Sequence, residues 1–159
     1  MTSDNQLIRI FEYALNQEHT GKNFFQGSLE RMGVGAAVTA LKRIIEEEER
    51  HIQFIGAILE NLRKGESLHP KGLEGTVLEP TNYFDDRSRS EFLETCVQES
   101  MIPDVTVFNT AWLIERDLST FYESMSGKVK GNPQRALEML ARWEKAHELF
   151  FREYRDKLN

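Results

Sequence analysis

Glu48-Glu49-Arg50-His51 lies in the middle of a stretch whose apolar residues Val38, Leu41, Ile45, Ile52, Ile55, Leu59 and Leu62 recur at steps of three and four. That spacing is the seam of a packed helix. It predicts a helix from about Gly35 to Lys64, stopped by Gly65. Glu48 falls on the seam, where an apolar side chain belongs. Burying an unpaired carboxylate costs several kcal/mol, so a partner for it has to come from elsewhere in the chain. His51, three residues on, shares the same helix face.

Three further segments carry the same period. The first runs from about Asp4 to Met32, with Ser3 or Asp4 as N-cap and Gly33 as stop. Its seam is Leu7, Phe11, Ala14, Glu18, Gly21, Phe25, Ser28 and Met32. A third helix is predicted from about Pro103, whose missing N–H costs nothing in a first turn, to Met125. Its seam is Val105, Phe108, Trp112, Glu115, Leu118 or Ser119, Tyr122 and Met125. The fourth runs from about Pro133 to Leu158 through Leu137, Leu140, Glu144, His147, Phe151, Tyr154 and Leu158. Short turns, Gly33-Val34-Gly35 and Gly127 to Gly131, make antiparallel hairpins of helices one and two and of helices three and four. Between the hairpins, Gly65 to Arg89 holds Pro70, Gly72, Gly75 and Pro80 without a period, and Ser90 to Ser100 predicts a short helix. The expectation is an all-α chain, one domain over residues 1–159, folded as an antiparallel four-helix bundle of two hairpins joined by a long crossover.

Every seam carries one glutamate at mid-helix: Glu18, Glu48, Glu115 and Glu144. Four carboxylates at one level of a bundle need compensation, and two divalent cations supply it. Helices two and four add a histidine at i+3, His51 and His147. One glutamate from each of two helices plus Glu-x-x-His from each of the other two is a di-metal carboxylate pattern. The order repeats: Glu18 to Glu48 spans 30 residues and Glu115 to Glu144 spans 29. A pseudo-two-fold follows, with Glu18 and His51 on one ion, Glu115 and His147 on the other, and Glu48 and Glu144 bridging. Iron suits this mixed donor set, with manganese or zinc as substitutes. A third copy of the motif, Glu66-Ser67-Leu68-His69, stands before Pro70 without partner glutamates and is read as coincidence.

Other candidates are weighed against plainer roles. Glu46, Glu47 and Glu49 are read as a solvated helix face. His19 points about 100° away from Glu18 and is read as surface or supporting. Tyr122, two turns after Glu115, is a candidate catalytic phenol that could hydrogen-bond a ligand carboxylate or donate an electron; core packing is the equal alternative. Trp112 is read as core, and Trp143 as a helix–helix or subunit contact.

The stretch Ala111-Trp112-Leu113-Ile114-Glu115-Arg116-Asp117-Leu118-Ser119-Thr120-Phe121-Tyr122-Glu123, with the six-residue set, resembles the ferritin-like superfamily, most closely stand-alone rubrerythrin-type proteins. The resemblance covers about Leu7 to Tyr154. It implies metal ligands at Glu18, Glu48, His51, Glu115, Glu144 and His147. It also implies oxidation of Fe(II) with reduction of dioxygen or peroxide at a non-haem di-iron centre. Rubrerythrin proper carries a four-cysteine rubredoxin domain, whereas Cys96 is the one cysteine here; electrons would then come from an external donor. Where rubrerythrin has an extra carboxylate one turn after the third-helix ligand, this chain has Leu118, so the set is more like the bacterioferritin ferroxidase centre. Bacterioferritin's haem-binding methionine is replaced by Glu49, so no haem and no storage shell are expected.

Bulk properties agree. A formal net charge of -6 speaks against nucleic acid as partner. A single cysteine permits no intramolecular disulfide or thiolate cage. There is no basic-then-apolar leader at Met1 to Asn5 and no apolar run of ~18 residues for a membrane; a cytoplasmic protein is expected. Apolar residues off the seams (Phe24, Leu29, Ile44, Ile58, Phe121, Trp143, Phe150) predict a second buried face; a partner subunit covering it makes a homodimer or other small homo-oligomer, and the crossover helix near Phe92 to Val97 is the alternative cover. The rival reading for function is an iron-binding carrier without turnover. The third is a bundle holding no metal.

Overall fold

The computed structural model describes residues 4–30, 36–66 and 102–158. They form four helices: α1 (Asp4–Leu29), α2 (Ala36–Arg63), α3 (Ile102–Ser126) and α4 (Asn132–Leu158), with no strand among the described residues. The helix α1 packs along α2, α3 along α4, and α1 also meets α3. This is the ferritin-like four-helix bundle that the four seams predict. The predicted turn at Gly33 to Gly35, most of the predicted crossover, the short helix predicted at Ser90 to Ser100, Cys96 and His69 lie outside the described residues.

Local chemistry sets the ends. The last turn of α2 closes on Gly65, which has φ of 73°. The Glu66 amide bonds Asn61 O at 2.9 Å and the Gly65 amide bonds Leu62 O at 3.1 Å, the paired bonds of a Schellman cap. A residue with a Cβ strains there. Before α4, Gly131 has φ of 74° and its carbonyl accepts from the Arg135 amide at 3.1 Å. The first helix stops at Leu29, one turn short of Met32.

The core divides into two apolar clusters. One holds Leu7, Phe11 and Ala14 with Phe54, Ile58, Leu62, Tyr122 and Leu140. The other holds Phe25, Leu41, Ile44, Phe108, Phe150, Phe151 and Tyr154. Each large apolar side chain fully buried contributes about 1.5–3 kcal/mol, which offsets the cost of the polar layer between them. Ile44 and Phe150, expected to face the crossover or a partner, are fully buried inside the chain, and Ile58 is nearly so. Phe24, Leu29, Phe121 and Trp143 pack on the same clusters. A helix with more than one neighbour in a bundle buries more than one seam.

Candidate metal centre

Between the clusters, Glu18, Glu48, His51, Glu115 and Glu144 are fully buried and His147 is 1% exposed. All six residues singled out in the sequence meet in this layer. Their donor atoms form two groups, each within 4.8 Å: Glu18, Glu48, His51 and Glu144, and Glu48, Glu115, Glu144 and His147. Glu48 and Glu144 belong to both groups, the sharing that the repeated hairpins imply. The distances have the same sense. His51 Nδ1 lies 2.7 Å from Glu144 Oε1 and 3.6 Å from both Glu18 Oε1 and Glu48 Oε1. His147 Nδ1 lies 3.2 Å from Glu48 Oε1, 3.6 Å from Glu115 Oε2 and 3.7 Å from Glu144 Oε2. Glu144 thus turns one oxygen to each imidazole. The two rings are near-parallel, 14° apart in plane, with centroids separated by 6.0 Å.

The electrostatics of this layer is unfavourable without a cation. Burial, then the charge of Glu144 and of Glu18, pushes the Glu48 carboxyl well above the usual range. Burial and the charge of Glu115 do the same to Glu144. Glu115 is raised to about 7 by burial and by Glu48. Burial also acts on Glu18, but its contact with Glu48 and the nearby His51 outweigh it and hold that carboxyl at about 2. Burial works against protonating the histidines, yet the surrounding carboxylates, Glu144 first for His51 and Glu115 first for His147, raise both. Both oxygens of Glu48, both of Glu115, Glu18 Oε2 and Glu144 Oε2 are buried and accept no hydrogen bond. Orphaned carboxylate oxygens converging with imidazole nitrogens are the donor set that hard-to-borderline divalent ions take, so the residues fit a pair of them.

Tyr122 is buried, and its hydroxyl donates to Glu18 Oε1 at 2.6 Å. This fixes the one carboxylate oxygen of Glu18 that also faces His51. Two further residues depart from the sequence reading. Glu47 is fully buried and hydrogen-bonds His147 Nε2, with Arg43 Nε 3.4 Å from its other oxygen. It belongs to the site rather than to a solvated face; Glu46 and Glu49 do reach solvent. Trp143 stacks on His51, with centroids 5.3 Å apart and planes 18° apart, and meets Phe54 edge-on. Trp112 is only half-buried: Ala111 takes the core position beside it. The Trp112 indole N–H donates to Glu148 Oε1 at 3.2 Å, and the Arg155 and Arg116 guanidiniums lie over its ring at 4.0 and 5.0 Å from the centroid. His19 is exposed.

A carboxylate that accepts the outer N–H of a ligating histidine fixes its tautomer and raises its basicity, and losing one costs 10–100-fold in metal affinity. Glu47→Ala should therefore weaken metal binding by about that factor, and Glu47→Gln should recover part of it, since an amide oxygen still accepts from Nε2. Competition against a chelator measures this; an unchanged affinity in Glu47→Ala would remove Glu47 from the site.

Two helical hairpins that close a layer of four glutamates and two histidines define a ferritin-like carboxylate–histidine protein. The sequence matches the rubrerythrin family over residues 9–152, and the chain belongs to that family. No curated protein and no solved structure matches it. Among the described residues no helix is long and apolar enough to cross a membrane.

Proposed function

We propose that the chain is a di-iron oxidoreductase that oxidises Fe(II) and reduces dioxygen or hydrogen peroxide, drawing electrons from an external donor. The supporting observation is the double donor group with Glu48 and Glu144 common to both halves. Glu18 and His51 would hold one ion, Glu115 and His147 the other, with the two shared carboxylates between them. Bound there, the iron pair supplies the two electrons that, with two protons, convert peroxide to two waters. The protein's part is to hold and to exclude. The shared glutamates neutralise charge that no solvent reaches. Glu47 keeps the outer nitrogen of His147 occupied, so that Nδ1 faces the cluster. Tyr122 restrains Glu18 and keeps a phenolic proton at its oxygen, raised well above its ordinary value by burial and by the Glu18 charge. The apolar clusters above and below keep bulk water away.

Anaerobic Fe(II)-loaded protein mixed with hydrogen peroxide in a stopped-flow instrument should develop ferric absorbance rapidly. It should do so again after each addition of reductant. Fe(II) that survives the oxidant would instead identify a carrier.

A further inference from the structure

Each Glu-x-x-His pair is preceded by one more residue of the layer: Glu47 before Glu48, and Trp143 before Glu144. The repeated hairpins put these two in corresponding positions, one residue before a shared carboxylate and four before a histidine. Glu47 hydrogen-bonds His147 Nε2. Trp143 stacks on His51, with ring centroids 5.3 Å apart and planes 18° apart. Each therefore holds the histidine that the other hairpin contributes.

The course of the helices explains the crossing. His51 meets Glu144 and Trp143, while Glu48 and Glu47 meet His147. Numbers that rise along α2 pair with numbers that fall along α4, so the two helices run antiparallel through the site. The residue one turn before either histidine then stands level with the other histidine. Trp143 is itself held there: Phe54, one turn after His51, meets it edge-on at 5.5 Å between centroids and 76° between planes. The second side-chain torsion of a histidine is broad, and a flat face stacked on the ring narrows it. The stack fixes the plane of His51, and the carboxylates choose its edge. Nδ1 stays 2.7 Å from Glu144 and 3.6 Å from Glu18 and Glu48.

We propose that Trp143 is the positioning residue for the ion held by Glu18 and His51, as Glu47 is for the ion held by Glu115 and His147, so that each hairpin sets the affinity of the ion whose histidine the other contributes. The inference rests on the two-ion part of the proposed function and not on turnover. Its consequence is site selectivity. Loss of the indole face weakens one ion of the pair, loss of the Glu47 carboxylate weakens the other, and only loss of both weakens the two together.

Zinc is the probe, since its binding involves no redox step. The two stepwise zinc constants are measured against a competing chelator. A variant that weakens one of two sites lowers mainly the second step, because the intact site still fills first. Trp143→Leu should therefore weaken the second step by about tenfold, the lower end of what a lost outer partner of a ligating histidine costs. Trp143→Phe should recover most of that, since a phenyl face still stacks, whereas a merely space-filling role is served as well by leucine. Trp143→Leu/Glu47→Ala should weaken both steps. Unchanged constants in Trp143→Leu, no recovery in Trp143→Phe, or a double variant that loses only the step that Glu47→Ala loses would each overturn the inference. Wild-type protein that does not take up two ions would instead overturn the two-ion reading, and the inference with it.

A second measurement leaves Trp143 in place. Trp112→Phe makes Trp143 the one indole in the chain. Adding Glu47→Ala makes the His51 ion the first to load. Trp143 emission should then change over the first zinc and stay level over the second. Emission that ignores zinc, or that changes only with the second ion, overturns the placement even where Trp143→Leu does not fold.

Discussion

Replacing Glu48 and Glu144 together should abolish binding of both metal ions while making the metal-free bundle more stable. The two carboxylates are common to both donor groups, so neither ion keeps a complete set when they go. Wild-type protein prepared with iron should hold about two ions per chain, and ions sharing carboxylates lie about 3.5–4 Å apart. The Glu48→Ala/Glu144→Ala protein should hold none, and retention of full metal would refute the assignment. The stability effect has the opposite sign for leucine. Glu48→Leu/Glu144→Leu removes two buried acids that repel their neighbours and joins the two apolar clusters. Exchanging buried ionic groups for apolar ones of similar volume typically yields from nothing to about 4 kcal/mol. Chemical denaturation of the two metal-free proteins measures the difference. A leucine variant clearly less stable than metal-free wild type would mean that the acids are not a burden on the fold.

That burden is also why the site was so legible. Glu18, Glu48, Glu115 and Glu144 each interrupt an apolar seam, and a sequence tolerates that only for a reason held in common. In α1 the seam from Leu7 to Ser28 is residue for residue the buried face. Glu47 escaped because α2 buries two adjacent seams. The second runs Ala40, Ile44, Glu47, His51, Phe54 and Ile58, all buried, again at steps of four and three. His51 itself lies on that second seam, not on the one through Glu48. Following the period outward from His51 reaches Glu47, so the signal was present in the sequence. A one-seam reading made Glu47 look solvated, as it made Ile44 look unpartnered. Trp143 is different in kind. Nothing in periodicity says that a residue beside Glu144 will stack on an imidazole from another hairpin; that depends on how far α4 is rotated against α2. Trp112, on α3, stays half-buried at the edge of the second cluster, where its indole N–H reaches Glu148 of α4.

Without metal, the wild-type protein should lose stability as pH rises from about 5.5 to 8, and metal should reverse the trend. The carboxyl of Glu115 is raised from 4.5 to about 7 in the folded chain, and those of Glu48 and Glu144 are also raised well above their ordinary range. A group whose folded pKa is raised contributes stability that is complete below its unfolded pKa and is lost as pH climbs through the folded one. For Glu115 that window runs from 4.5 to about 7; at about 1.4 kcal/mol per pKa unit the whole loss is about 3.5 kcal/mol, of which about 2 kcal/mol falls between pH 5.5 and 8. His51 and His147 are also raised, so what they contribute is likewise present at low pH and fades upward. Glu18 is depressed to about 2; its contribution is lost only on acidification below about 4.5, outside the range tested. The signs agree between pH 5.5 and 8. For a chain this long, about 2 kcal/mol corresponds to a fall in Tm of about 6 °C. Metal uptake displaces the protons that the cluster holds, so affinity should rise with pH, protons should be released on loading, and the Tm gain from metal should be larger at pH 8 than at pH 5.5. Thermal melts of chelator-treated and iron- or zinc-loaded protein across this range give both slopes. The Glu48→Leu/Glu144→Leu variant should flatten the metal-free one. A metal-free Tm that stays level or rises over this interval would mean that the buried carboxyls carry no excess protons and that their mutual repulsion is not what cations relieve in this layer.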